Sequence, residues 1–212
     1  MVFIIASFRA KAQRELEREH RALKQVLVER QSLQEALLHQ AFYDRLTGLP
    51  NRALLFDRLQ NAFLEAVRHH QALSMLFVDL DGFKSVNDRF GHAIGDQLLV
   101  EVAKRMLAVV RQEDTVARLG GDEFTVLIKN PGSVDDAIAL ANRILEKISE
   151  SYQITGMNFN ISASIGVAMN YPRGDQPEDL LRDADHAMYQ AKTAGKSKIC
   201  VHTHNVELIS NE

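Results

Sequence analysis

The spacing of apolar residues changes several times along the chain, and each change marks an element. Between residues 10 and 40 there is neither glycine nor proline, and Glu, Arg, Gln, Leu and Ala dominate. Leu16, Leu23 and Leu37 recur at multiples of seven with Arg30 in the missing place, while Val26 and Leu33 take the alternate heptad position. That spacing predicts a helix with a coiled-coil seam. A single amphipathic helix lying on its own domain is the other reading. A parallel homodimer is favoured, because nothing else in the stretch would cover the stripe. Gly48 and Pro50 then break the helix. Asn51 offers a cap to a second helix running to about His70, with Leu54, Leu55, Leu59, Phe63 and Val67 on one face.

Residues 73–80 form a dense apolar run, as a buried central strand does. A short helical turn over 85–92 ends at Gly91, and 93–110 reads as a long amphipathic helix bearing Leu98, Leu99, Val102, Met106 and Val109. Ala117 and Leu119 before a pair of glycines, with Phe124, Val126 and Ile128 after it, predict a β-hairpin. Ser133 or Asp135 caps a helix to about Glu150. Residues 159–168 read as a strand, in which Gly166 marks a bulge or a close approach. A proline-bearing loop leads to a helix over 178–193, closed by Gly195, and a last strand spans 197–202. Beyond Asn205 the chain is polar and is expected to fray. The order is mixed α/β, with one sheet covered on one face by helices. The expected layout is an N-terminal signalling helix over 1–43, an α/β domain over 44–205 and a flexible tail over 206–212.

Composition narrows the function classes. At 212 residues the chain can hold one substantial domain and an appendage, and 46% apolar with 25% charged residues is ordinary for a soluble protein. A net charge of -3 argues against a nucleic-acid-coating surface. The lone Cys200 fits a reducing compartment and buried packing. Residues 1–8 are apolar but too short to span a bilayer, which takes roughly twenty residues. With Arg9 and Lys11 following, they are either the stub of a membrane helix with its basic flank or an ordinary helix start. A cytoplasmic location is expected, free or as the cytoplasmic part of a membrane-anchored protein.

The candidate chemistry is acidic. Asp122 and Glu123 are adjacent on the hairpin turn, where like charges repel and turn chemistry prefers Asn or one Asp. A divalent cation would relieve them; a solvated acidic turn is the bland alternative. Asp79 ends the buried strand, and Asp81 is expected to face the opposite way. If the strand and the hairpin are neighbours, Asp79 faces Asp122 or Glu123 across a gap sized for a metal. Gly82 lets backbone amides approach an anion, with Lys84 adding a cation beside it. Asn87 and Asp96 offer an amide and a carboxylate, which suit the donors and acceptor of a guanine edge.

Several separated motifs carry a family resemblance over about 44–201. They are Asp44-Arg-Leu-Thr-Gly-Leu-Pro-Asn-Arg52, Asp79-Leu-Asp-Gly-Phe-Lys-Ser-Val-Asn87, Gly91-His92, Gly95-Asp96, Arg118-Leu-Gly-Gly-Asp-Glu-Phe124, Ser164-Ile-Gly166, Ala184-Asp185 and Tyr189-Gln-Ala-Lys192. In this order they resemble the GGDEF family, the diguanylate cyclases. The resemblance implies a palm-like fold similar to nucleotidyl cyclases and polymerases. It also implies condensation of two GTP into cyclic di-GMP with release of two pyrophosphates. Asp79, the Leu80 carbonyl, Asp122 and Glu123 would hold two divalent cations per half-site, Mg2+ or Mn2+, and Asp122 and Glu123 are the catalytic pair. Gly82, Phe83 and Lys84 would hold the triphosphate, with Lys192 and Lys196 adding phosphate contacts. Lys196 stands where the family more often has arginine, so a bidentate contact is lost there. Asn87 and Asp96 would read guanine, and His92 joins the substrate set. Arg111 and Asp114 match an inhibitory RxxD site for cyclic di-GMP. One product needs two domains face to face, which gives the leading helix a pairing role, with an upstream sensor or membrane segment as the signal's source.

Overall fold

The computed structural model describes residues 2–170 and 176–202, with side chains outside 2–19, 22 and 35. The proline-bearing loop at 171–175, the end of the domain near 205 and the expected tail lie outside the described residues, as do the side chains of Arg9, Lys11 and Leu16. The elements follow in order: α1 (Val2–Phe42), α2 (Arg52–His69), β1 (Leu73–Asp81), α3 (Phe83–Phe90), α4 (His92–Leu107), β2 (Thr115–Gly120), β3 (Glu123–Lys129), α5 (Val134–Ser149), β4 (Tyr152–Ile154), β5 (Met157–Phe159), β6 (Ser162–Asn170), α6 (Pro177–Thr193) and β7 (Ile199–Val201). The chain divides into two compact units, Met1–Ala41 and Phe42–Glu212.

The first unit is one helix. Leu23, Val26, Leu33 and Leu37 are each more than half exposed along it, an apolar stripe that no described side chain of the unit covers. No described helix is long and apolar enough to cross a membrane.

In the second unit a five-stranded sheet runs in the order β2-β3-β1-β6-β7. β1 pairs antiparallel with β3 and β6, β2 pairs antiparallel with β3, and β7 joins β6 in parallel. Caps fix the helix starts: Asn51 Oδ1 accepts the Leu54 N–H at 3.1 Å, and Ser133, rather than Asp135, accepts the Asp136 N–H to open α5.

Helices cover both faces of the sheet, not one as expected. Leu76, Val78 and Leu80 of β1 pack in one core with residues of α3, α4 and α5, while Leu73, Met75 and Phe77 pack in a second core with α2 and α6. The physical reason lies in the run itself. Residues 73–80 are buried without a break, which a strand achieves only when both its faces are covered. A second difference is the small β4–β5 hairpin, whose turn residues Thr155 and Gly156 both have positive φ. The expected strand over 159–168 therefore splits, with Phe159 closing β5 and β6 beginning at Ser162.

Candidate active site

The two-residue period of β1 places Asp79 and Asp81 on the face that carries α6, with Leu80 on the other. The expectation that Asp81 faces away from Asp79 is therefore wrong, because residues two apart in a strand share a face. Asp79 is buried at 7% exposure, and its Cα partner across the β1–β3 ladder is Glu123. The turn between β2 and β3 carries Asp122 over this ladder. Gly121 turns it at φ 54°, which a side chain would strain, and the Asp122 carbonyl accepts the Leu80 N–H at 3.3 Å. Asp79, Asp122 and Glu123 thus gather at one end of the sheet.

Lys192, in the last turn of α6, places Nζ 2.6 Å from Asp79 Oδ2. Burial nevertheless raises the Asp79 pKa above the ordinary carboxylate value, with repulsion from Asp122 and Asp81 adding to it against the Lys192 contact. Glu123 is raised by burial as well, then by Asp79, Asp185 and Asp122. Negative charge at this end exceeds what Lys192 balances. Among the described residues no three such side chains already converge as a cation cage; one Asp79 oxygen is held by Lys192 instead. The donors are hard carboxylate oxygens under mutual repulsion, and their chemistry suits a hard divalent cation.

Beyond β1, Gly82 at φ 88° opens α3, and as a glycine it offers the first N–H groups of the helix no side-chain cap. Phe83 is buried beneath this corner and Lys84 is exposed. Asn87 Oδ1 is buried and, among the described residues, has no hydrogen-bond partner. It lies against Gly95, where a Cβ would stand 1.9 Å from it. Asp96 follows on α4, exposed, and lines a cavity of about 300 Å³ with Leu46, Val100 and Ile154. Asn87 does not line that cavity. His92 is the exposed first residue of α4, and Lys196 is exposed in the α6–β7 turn at φ 62°.

Arg111 and Asp114 lie apart from these groups, between α4 and β2. The Asp114 carboxylate accepts the Arg111 N–H at 3.0 Å, and burial raises its pKa. Both border a small cleft whose wall includes Arg143, and Asp114 also lines a cavity of about 290 Å³ with Arg58 and Lys129.

Sequence reasoning missed four participants. Arg118 Nε and Nη2 donate to the Gly121 carbonyl at 3.1 and 2.7 Å, and its Nη1 donates to the Asp44 carboxylate at 2.9 and 3.1 Å, so one guanidinium ties the acidic turn to the segment after α1. Burial pushes the Asp44 pKa up, but the Thr47 hydroxyl and N–H and Arg118 more than reverse it. Asp185 adds a carboxylate facing Glu123, Arg143 adds a cation beside Arg111, and Ser197 binds Asp81. Their positions inside quoted motifs were the signal for Arg118 and Asp185. Arg143 and Ser197 carried none.

Residues 41–198 match the family profile described as "Diguanylate cyclase, GGDEF domain". The chain is 49% identical over 164 residues to the bifunctional diguanylate cyclase/cyclic di-GMP phosphodiesterase MucR of Pseudomonas aeruginosa, covering 77% of this chain and 24% of MucR. It is 45% identical over 158 residues to the diguanylate cyclase TpbB of the same species, covering 74% of this chain and 36% of TpbB. The structure of the TpbB GGDEF domain superposes with a TM-score of 0.73 at 41% identity, over 76% of this chain and 94% of that one. The coiled coil and GGDEF domain of DgcB from Caulobacter crescentus, solved with c-di-GMP, superposes with a TM-score of 0.77 at 28% identity, over 85% and 96% of the two chains. The chain thus spans roughly a quarter to a third of the length of these curated relatives.

Proposed function

The chain belongs to the GGDEF family of diguanylate cyclases, and from that premise we propose that it condenses two GTP into cyclic di-GMP with release of two pyrophosphates. The observation that carries the reading is the register of β1 against β3, which sets Asp79 opposite Glu123 beneath the Asp122 turn and beside Lys192. Asp79, the Leu80 carbonyl, Asp122 and Glu123 would hold two divalent cations, Mg2+ or Mn2+. When bound, these supply Lewis-acid charge that lowers the pKa of the attacking 3′-hydroxyl and offsets charge on the leaving pyrophosphate.

The chain's own residues do the rest. The N–H groups at Gly82, Phe83 and Lys84 receive phosphate oxygens at the start of α3. Lys192 moves from Asp79 to the phosphates once the carboxylate has another cation to meet. Lys196 adds a more distant charge. Asn87 and Asp96 receive the guanine donors, with His92 at the rim. The Asn87 oxygen, which has no donor among the described residues, supports this, since a buried acceptor without a donor is costly unless a ligand supplies one. Asp122 takes the proton of the 3′-hydroxyl, although a carboxylate is a weak base at neutral pH.

Each domain holds one GTP, so two domains must meet. Residues 1–43 serve as the signalling helix that pairs them through Leu23, Val26, Leu33 and Leu37, whose exposure supports a second copy as their cover. Residues 44–205 form the catalytic domain and 206–212 a tail. Arg111 and Asp114, helped by Arg143, bind product and hold the domains apart. The reaction takes place in the cytoplasm, where GTP is available, and needs no nucleic acid.

Incubation with GTP and Mg2+, followed by chromatography of the nucleotides, tests the reading. Cyclic di-GMP is the expected product. GTP bound but unconverted would make the domain a sensor, and neither binding nor turnover would leave a scaffold.

A further inference from the structure

The cyclase reading leaves Asp81 without a task. It sits two residues beyond Asp79, on the same face of β1, yet its carboxylate turns to protein rather than to the acidic turn. Ser164 Oγ, from the fully buried Ser164 of β6, donates to its two oxygens at 3.1 and 2.9 Å. The Ser197 backbone N–H donates to Oδ2 at 3.0 Å, across 116 residues of sequence. The turn held in this way is an unfavourable one. Gly195, Lys196 and Ser197 follow one another at φ 112°, 62° and 50°, and two consecutive non-glycine residues in the left-handed region persist only where surroundings hold them. The same turn folds back on α6, since the Lys196 N–H donates to the Ala191 carbonyl at 3.0 Å.

β1 therefore grips the C-terminal end of α6 at two points. Asp79 holds the Lys192 side chain, and Asp81 holds the backbone of the turn that carries Lys196. The first contact must break when Lys192 turns to a phosphate; the second need not. We propose that Asp81 is a positioning residue, a clamp on the α6–β7 turn that keeps Lys192 and Lys196 aimed at the substrate triphosphate. This rests on the reading of those two lysines as phosphate contacts. It separates the roles of the two β1 acids: Asp79 faces cations, and Asp81 is committed to hydrogen bonds.

Charge and clamp predict opposite signs, which makes the proposal testable. Removing a carboxylate near a polyanion site by charge alone tightens anion binding. Removing a clamp loosens it. The probe is inorganic tripolyphosphate, titrated into the full chain in metal-free buffer, together with amide hydrogen exchange over residues 194–198. Asp81→Ala is expected to weaken tripolyphosphate binding by about tenfold and to speed Ser197 exchange by about tenfold, the effect of losing one charge-assisted hydrogen bond. Asp81→Asn keeps an acceptor oxygen, and both readouts are expected to return to within about threefold of wild type. Should Asp81→Ala fail to fold, Ser164→Ala leaves the carboxylate in place but frees it to turn, and carries the same prediction at about threefold.

Tighter binding in both Asp81 variants, or Ser197 exchange unchanged in Asp81→Ala or Ser164→Ala, overturns the clamp. Loss of Ser197 protection with unchanged tripolyphosphate affinity also overturns it, because the turn would then be structural alone. No tripolyphosphate binding by the wild type sinks the phosphate role of the lysines and the clamp with it. Absence of cyclic di-GMP from GTP and Mg2+, with the tripolyphosphate results intact, counts against the cyclase reading only.

Discussion

Gly166→Ala tests whether the seating of α6 on the sheet sets the active end of the molecule. Gly166 lies in β6, opposite Phe77 of β1, and α6 passes directly over it. A Cβ there would stand 2.0 Å from the Ala184 carbonyl oxygen, 2.2 Å from the Met188 nitrogen and 2.9 Å from the Ala187 carbonyl carbon. All three are backbone atoms, so no side chain can swing aside. To reach even a tight contact, the helix must retreat by about 1 Å. That places the cost at the upper end of overpacking penalties, about 3 kcal/mol. For a domain of this size it corresponds to a fall of roughly 6–12 °C in Tm. The same retreat carries Lys192, one turn beyond Met188, away from Asp79. A misplacement of that order costs about a hundredfold in rate. Calorimetry reads the first effect, and initial-rate measurement of cyclic di-GMP at 10 °C, where the variant remains folded, reads the second. A Tm within 2 °C of wild type, or full activity at low temperature, would refute the reasoning.

Three further outcomes are expected. Glu123 holds its proton to higher pH in the folded chain than in the unfolded one. It therefore favours folding below the unfolded value of 4.5 and increasingly opposes it as pH rises through the raised folded value. Glu123→Gln should accordingly raise the Tm of the metal-free chain at pH 7–8, with the gain vanishing near pH 4; a gain independent of pH would contradict the cause given. Arg111→Ala should lift inhibition by added cyclic di-GMP without slowing the first turnovers, and an unaltered inhibition curve rejects the product site. Removing residues 1–40 should abolish cyclase activity at submicromolar protein while GTP binding persists, so specific activity unchanged on dilution would remove the pairing role of the helix.

Much of this arrangement was legible in the sequence. The coincidence of Asp79 with the acidic turn follows from one strand ending in a carboxylate and one hairpin tipped with two, once the strands are neighbours. Gly166 reads as a bulge or a close approach, and the packing of α6 makes it the second. The misreadings have separate causes, and only the helical layers depend on what lies across the sheet. Unbroken burial in β1 needs both helical layers to explain it, and the order of elements does not reveal how the helices divide between them. The β4–β5 turn is not legible in the sequence because Thr155 takes a positive φ where Asn or Gly would signal a hairpin. Strand periodicity alone fixes Asp81 beside Asp79, so the expectation of opposite faces fails on local geometry. The Arg118–Asp44 pair joins residues 74 apart and the Asp81–Ser197 bond residues 116 apart, so only the fold brings them together.

The central claim is that Asp79 and the acidic turn jointly hold cations against a triphosphate. Electron paramagnetic resonance of Mn2+, titrated into the chain with a non-cyclisable GTP analogue, reads it directly. The account predicts that Asp79→Asn and Glu123→Gln each weaken Mn2+ binding by at least about tenfold, the effect of losing a charged ligand. Mn2+ bound as tightly by the double variant as by the wild type would contradict it.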